Sequence, residues 1–112
     1  GIDFVVNNNA LLEQFYSTLG DTYNELENFE ASYSAYDKVL SLNPENTIVL
    51  NNYAYYLSLR SEELDKAEKM AAKAVELDPY NSNNLDTYAW VLYKNKKYKA
   101  ALEWIKKALS NG

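Results

Sequence analysis

The clearest pattern in the chain is a helical spacing of apolar residues around position 53. These side chains follow the i, i+3, i+4, i+7 order that places them on one helix face: Leu50, Tyr53, Ala54 and Leu57. A second apolar stripe begins after a polar turn and runs from Leu64 to Leu77. Pro79 ends it, because proline disfavours helix in the residue before it. The segment therefore predicts two helices joined by a short turn, which are expected to be antiparallel neighbours.

The same two-helix pattern occurs three times. The motifs SLNPEN around Pro44 and ELDPYN around Pro79 set the register. NNYAYYL in the second unit then aligns with DTYAWVL in the third and STLGDTY in the first. A fixed period of this kind is the mark of a repeat array. Six helices and no strand are expected, in three units that cover residues 13–46, 47–81 and 82–111.

Polar residues mark where the helices begin. Asn28 is expected to cap the second helix of the first unit, and Ser61, followed by two acids, that of the second. Pro44 and Pro79 lie 35 residues apart, one more than a 34-residue repeat requires. We place the extra residue between Arg60 and Leu64, because lengthening a turn by one residue costs little.

Small residues recur where the two helices of a unit must approach closely. They stand at matched positions in all three units: Gly20, Ala54 and Ala89 in the first helices, and Ser32, Ala67 and Ala101 in the second. Large side chains at the neighbouring positions, such as Tyr36 and Ile105, are expected to fill the matching holes.

These residues resemble the tetratricopeptide repeat (TPR) family over residues 13–111. The family pattern is matched in the first unit by Tyr16, Leu19, Gly20, Tyr23, Ser32, Tyr36, Val39 and Pro44. The resemblance, which is greatest to bacterial members, implies an all-α fold, a right-handed α-solenoid of three antiparallel helix pairs. It also implies a protein-binding scaffold, not an enzyme, whose first helices line a concave groove that holds a partner segment.

The resemblance places one flank of each first helix in this groove. The candidate partner-binding residues are Asp21, Asn24, Asn51, Asn52, Tyr55, Asp86, Trp90 and Tyr93. The same flank carries Gln14, Ser17, Ile48, Ser58 and Asn83. None of these is Lys or Arg, and a clamp for a partner's C-terminal carboxylates needs fixed cations. Only Asn52 matches the clamp of that subfamily, so the groove suits a neutral or basic extended peptide instead.

Several alternatives stay open at this stage. Tyr55 and Trp90 could pack against the following repeat without binding a ligand. Trp104 could anchor an interface or belong to the core. The whole chain could be a structural module that forms a homo-oligomer, or stacks on other repeats, through uncapped terminal helices. Residues 1–12 are expected to be a separate segment, the tail of an upstream repeat, with Ile2, Val5 and Val6 at apolar positions.

Composition narrows the function classes further. The chain has no histidine and no cysteine, which removes disulfides, the commonest metal ligands and the usual general base. No cofactor or metal is therefore expected. The net charge of −5 argues against nucleic acid as a partner. Fourteen asparagines and eleven tyrosines suggest a surface that makes polar contacts without charge.

Charge is unevenly distributed along the chain. Residues 1–56 carry eight acids and one base, a net charge of −7, whereas residues 57–112 carry eight acids and ten bases, a net charge of +2. This asymmetry favours head-to-tail stacking or an oriented partner.

No apolar run is long enough to span a membrane and the first residues do not form a signal peptide. A cytoplasmic or a periplasmic location is equally compatible, with any export signal upstream.

Overall fold

The chain is described by a computed structural model that covers the backbone of residues 2–111 and the side chains of residues 9–110. Over that part of the chain the secondary structure is helical, without a strand. The six helices are α1 (Ile2–Glu25), α2 (Phe29–Leu42), α3 (Thr47–Leu59), α4 (Leu64–Leu77), α5 (Ser82–Lys94) and α6 (Tyr98–Asn111). The predicted number and order of helices are confirmed.

The turns inside the pairs show where the extra residue lies. Three residues separate α1 from α2 and α5 from α6, whereas four residues, 60–63, separate α3 from α4. Each three-residue turn has one residue with positive φ, Glu27 or Lys96, and the four-residue turn has two, Ser61 and Glu63. The insertion is therefore located as predicted.

The predicted cap at Ser61 is wrong. Helix α4 begins at Leu64, and its N-cap residue is Glu63, in a left-handed conformation without a side-chain cap bond. Ser61 instead belongs to the end of α3, where its N–H donates to the Ser58 carbonyl at 3.0 Å. The reason is the extra residue, which is used to close the C-terminus of α3 before α4 can begin.

Asparagine is the residue that caps helices here. The N–H of Ala31 donates to Asn28 Oδ1 at 3.4 Å, which confirms the predicted cap of α2. In the same way, Asn46 accepts from the N–H of Val49 at the start of α3, and Asn81 accepts from the N–H of Asn84 at the start of α5. Each amide oxygen satisfies a backbone donor that has no partner inside the helix.

Helix α1 is longer than the repeat pattern requires. It passes residue 12 without an end, so no turn sets residues 1–12 apart from the first repeat. The side chains of Ile2, Val5 and Val6 lie outside the described side chains. The assignment of this segment to an upstream repeat, and of residues 13–112 to one domain, stays a prediction.

The chain divides into two compact units, residues 1–49 and residues 50–112. In the first unit α1 packs on α2, where Gly20 lies against the fully buried ring of Tyr36. Ser32 is also fully buried, and its hydroxyl donates to the Gly20 carbonyl at 2.7 Å. The small residues predicted at the helix contact therefore lie there.

In the second unit α5 packs between α4 and α6. Val75, Leu85 and Ala108 form a buried cluster, one residue from each of these helices, and Tyr88 and Trp104 pack against it. The Tyr88 and Trp104 rings lie 4.9 Å apart, and the ammonium of Lys107 lies 4.4 Å from the Trp104 ring. Of the two interpretations of Trp104, this packing supports the core.

Candidate functional site

Three of the predicted binding residues lie together in the second unit. Tyr55 on α3 and Asp86 and Trp90 on α5 line one pocket of about 320 Å³, together with Leu59 and Thr87. Tyr55 and Trp90 are 40% and 37% exposed. Their outward position follows from helix register, because each is adjacent to a buried alanine, Ala54 or Ala89, that faces the partner helix.

A second pocket adjoins the first. Its volume is about 380 Å³ and it shares Asp86 and Trp90 with the first pocket. Its other lining residues are Ala89, Tyr93, Ile105, Ala108 and Leu109. The two pockets are therefore neighbouring compartments of one surface along α5, with Asp86 and Trp90 in the lining of both. We call this surface, formed by the residues that line the two pockets, the α5 surface.

Aromatic rings contact one another along the α5 surface. Trp90 and Tyr93 lie one turn apart on α5, and their rings stack with centroids 5.9 Å apart and planes 28° apart. Tyr98 of α6 contacts Tyr93 edge-on at 5.6 Å, and Lys94 Nζ lies 5.6 Å from the Trp90 ring. Tyr98 and Lys94 were not predicted as site residues, although Lys94 stands four residues after Trp90, the spacing of neighbours on a helix face.

Asp86 provides the charge of the α5 surface. It is exposed, and it is the one charged residue among those that line the two pockets. A cation lies beside this lining, because Lys94 Nζ is 5.6 Å from the Trp90 ring, whereas Lys97 pairs with Glu68 at 2.8 Å. The Glu68 carboxylate raises the pKa of Lys97, first through their hydrogen bond. The α5 surface is thus apolar and aromatic with a single anionic group.

Three predicted groove residues of α3 do not line the α5 surface: Asn51, Asn52 and Ser58. Asn51 and Asn52 are half-buried and do not line either pocket of the α5 surface. Asn51 Nδ2 donates to Asn52 Oδ1 at 3.4 Å, and Asn51 Oδ1 is buried without a hydrogen-bond partner. Ser58 is fully buried, and its hydroxyl donates to the Tyr55 carbonyl at 2.7 Å. The placement of Ser58 on an open groove flank was therefore wrong, since helix register turns it inward.

The first unit holds a separate polar pocket of about 340 Å³. Three residues predicted on the groove flank of α1 line it, Gln14, Ser17 and Asp21, and so does Ile48. Asp21 also accepts a hydrogen bond from the buried Tyr36 hydroxyl, which gives it a structural role. Asn24 is half-buried and does not line this pocket.

Sequence reasoning missed Glu13 in the same pocket. Its Oε1 accepts hydrogen bonds from Asn43 Nδ2 at 3.0 Å and from Asn46 Nδ2 at 3.1 Å. The carboxylate thereby ties α1 to the turn between α2 and α3. Nothing in the spacing of Glu13 indicates this role, because its partners lie thirty or more residues away.

The residues that the structure describes contain neither a metal-binding cluster nor a membrane-spanning helix. No group of three or more His, Cys, Asp or Glu side chains is arranged to hold a metal ion in this part of the chain. Within the same part, none of the helices combines the length and the apolar character needed to cross a membrane.

Two family models match the chain. One is described as tetratricopeptide repeat and matches residues 13–46. The other is described as anaphase-promoting complex, cyclosome, subunit 3, and matches residues 60–112. A TPR repeat-containing protein of the bacterium Pseudomonas aeruginosa is 28% identical over 93 residues, which is 83% of this chain. The chain spans only 15% of the length of that relative.

Solved structures agree on the fold. The N-terminal domain of stress-induced protein-1 from C. elegans has a TM-score of 0.77 and 22% identity, over 88% of this chain and 83% of that one. The TPR domain of Arabidopsis OM64 has a TM-score of 0.82 and 18% identity, over 92% of this chain and 84% of that one. These likenesses show that the chain has the all-α fold of TPR domains.

Proposed function

Because the chain belongs to the tetratricopeptide repeat family, we propose that it is a non-catalytic scaffold that binds an extended, neutral or basic segment of a partner protein on its α5 surface. The TPR fold generally mediates protein–protein interaction, which gives the proposal its class. The observation that carries the finer statement is the convergence of Tyr55, Asp86 and Trp90 on one pocket.

The chemistry of the α5 surface favours a basic side chain between apolar ones. Asp86 attracts a Lys or Arg of the partner, and the aliphatic stem of that side chain can pack against the aromatic lining. The adjoining compartment, with Ile105 and Leu109 in its lining, offers contact to an aliphatic neighbour. A carboxylate-rich segment is disfavoured, because the one charged residue in the lining is an acid and Lys94, the cation beside it, is engaged with the Trp90 ring.

Two labelled octapeptides test this proposal. They share one sequence except at the centre, which is Arg-Leu-Arg in one and Glu-Leu-Glu in the other, and their binding is measured by fluorescence anisotropy. The basic peptide is expected to bind and the acidic one not. Trp90→Ala and Tyr55→Ala are each expected to weaken the binding about tenfold or more, since buried aromatic anchors carry most of the affinity in such contacts.

One further variant tests the role of the Asp86 charge, and another is a control for the loss of an aromatic ring. Asp86→Asn is expected to reduce the preference for the basic peptide while binding through the aromatic rings persists. Tyr80→Ala is the matched control, because Tyr80 is an aromatic residue 84% exposed and outside both pockets. If the folded Trp90→Ala and Tyr55→Ala variants bind as the wild type does, the proposed site is wrong.

A further inference from the structure

The ring of Trp90, which lines both pockets of the α5 surface, already has two partners within the chain. Tyr93 stacks on it with ring centroids 5.9 Å apart, and Lys94 Nζ lies 5.6 Å from its centroid. An ammonium within about 6 Å of an aromatic centroid is attracted by the negative face of the ring. One cation site on this ring is therefore held by the chain itself.

The backbone accounts for the position of Lys94. It is the last residue of α5 and stands four residues after Trp90. Side chains of a helix lean towards its N-terminus and cover the turn before their own Cα, which brings the Lys94 side chain back over the Trp90 turn. Asn95, the next residue, donates to Asp65 at 3.0 Å and to Glu68 at 2.9 Å. The end of α5 is thus held in place, and Lys94 is half-buried.

The charges of α5 are separated along the helix. Asp86, Trp90 and Lys94 are spaced by four residues, so they form one row with the acid at one end and the base at the other. Lys97 adds little to the positive end, because Glu68 pairs with it at 2.8 Å. The row therefore attracts one cation at Asp86 and repels a second cation near Trp90.

We propose that Lys94 is a specificity-determining residue of the α5 surface, which limits the bound segment to one basic side chain. The Lys94 ammonium occupies the Trp90 ring and repels a second base, so the surface selects a segment with one Lys or Arg at Asp86 and uncharged neighbours. This inference rests on the proposed function, because it concerns the same site. It narrows the partner from a neutral or basic segment to a segment with a single base.

The spacing of two bases in a test peptide can be matched to this row. Residues two apart in an extended segment point to the same side and lie about 7 Å apart. Asp86 and Trp90 are about 6 Å apart along α5, at 1.5 Å per residue. In a segment with the centre Arg-Leu-Arg, one guanidinium can therefore reach Asp86 while the other reaches the Trp90 ring, provided that Lys94 does not hold it.

Fluorescence anisotropy with three labelled octapeptides tests the inference. They share one sequence except at the centre, which is Arg-Leu-Arg, Arg-Leu-Gln or Gln-Leu-Arg. The doubly basic peptide is expected to bind the wild type no more than about twofold more tightly than the better singly basic one, since its two bases only offer two ways to reach Asp86. In Lys94→Met, which keeps an unbranched side chain without the charge, this ratio is expected to rise to about fivefold, because the second base then contacts Trp90.

The controls separate the ring contact from charge and from folding. Each ratio compares two peptides on one variant, so a lower folded fraction of that variant cancels. Lys94→Arg keeps a cation on the ring and is expected to keep the wild-type ratio. Lys99→Met removes the charge of an exposed lysine that lines neither pocket, and it is also expected to keep that ratio.

A Lys94→Met chain with the wild-type ratio overturns the inference, and so does a Lys99→Met chain whose ratio rises as much as that of Lys94→Met. If Trp90→Ala and Tyr55→Ala weaken binding while Lys94→Met leaves the ratio unchanged, the site stands and only the role of Lys94 is wrong. If no peptide binds the wild type, or if Trp90→Ala and Tyr55→Ala change nothing, the proposed function itself is wrong.

Discussion

Gly20 is unfavourable in the interior of helix α1, but it allows α1 to pack closely on α2. In a helix interior glycine is about 1 kcal/mol less favourable than alanine. A Cβ at this position would stand 2.6 Å and 2.8 Å from ring carbons of Tyr36, well inside van der Waals contact. Because Tyr36 is fully buried, its ring has no free space to move into. The close approach of α1 and α2 therefore requires glycine here.

Gly20→Ala is accordingly expected to destabilise the chain, although the same change normally stabilises a helix. Overpacking costs about 1–3 kcal/mol, which exceeds the gain of about 1 kcal/mol in helix propensity. The free energy of unfolding is measured by urea denaturation of the wild type and the variant.

A second background provides the control for Gly20→Ala. In a Tyr36→Leu chain the ring is absent, so adding Gly20→Ala is expected to be neutral or stabilising there, and a double-mutant cycle isolates the coupling. If Gly20→Ala stabilises the chain even with Tyr36 present, the steric account is incorrect.

The number of asparagines did not predict what these side chains do in the fold. Their number suggested a polar contact surface, but several act inside the fold. Asn28, Asn46 and Asn81 cap helices, which a place just before a helical stripe can predict. Asn95 donates to Asp65 at 3.0 Å and to Glu68 at 2.9 Å. That role depends on how α4 packs beside the end of α5. This packing cannot be predicted from the residues next to Asn95 in the sequence.

At the scale of elements, Asn84 joins two helices. It lies in the first turn of α5, almost fully buried, and its Nδ2 donates to the Ala74 carbonyl in the last turn of α4. The Ala74 carbonyl also accepts the N–H of Asp78 at 3.0 Å, so Asn84 uses the second lone pair of this oxygen. The bond fixes the start of α5 against the end of α4.

Asn84→Ala is expected to lower the free energy of unfolding by about 1–2 kcal/mol, since it removes a buried hydrogen bond and leaves a small void. Urea denaturation measures the loss. Asn83→Ala is the matched control, because Asn83 is the same residue type in the same turn but is exposed. Because alanine is the better helix former at both positions, equal losses in the two variants would show that the bond to α4 is not the cause of the effect.

Element positions were largely predictable, whereas the local geometry of one turn and the length of one helix were not. The apolar period and the two prolines located all six helices, because side-chain burial repeats with the helix turn. The period also placed Tyr55, Asp86 and Trp90 on one flank, where a pocket now joins them. It failed at Ser61, where the backbone geometry of a four-residue turn decides which residue precedes α4.

At the scale of the molecule, the chain uses three repeats of one design for different purposes. The repeat register fixes which positions are buried between helices. Side chains at other positions vary, and they give the α5 surface its aromatic rings and its single acid. The proposed binding site therefore rests on positions that vary between the repeats.

The pH dependence of unfolding is a property of the whole molecule in which one residue can be identified. Burial, and next the nearby Glu68 carboxylate, raise the pKa of Tyr88 above 10.0. The folded chain thus holds the phenol proton more tightly than the unfolded chain does. Its contribution to stability is fully present below pH 10 and is lost as the pH rises through the raised pKa of the folded state.

Tyr88→Phe removes this titration. The free energy of unfolding, measured by urea denaturation at pH 9, 10 and 11, is therefore expected to fall less steeply with rising pH in Tyr88→Phe than in the wild type. The two proteins differ at no other residue, so the difference in slope belongs to position 88. Tyr80→Phe, at a residue 84% exposed, is expected to keep the wild-type slope. Identical slopes in all three proteins would mean that folding does not raise the pKa of the Tyr88 hydroxyl.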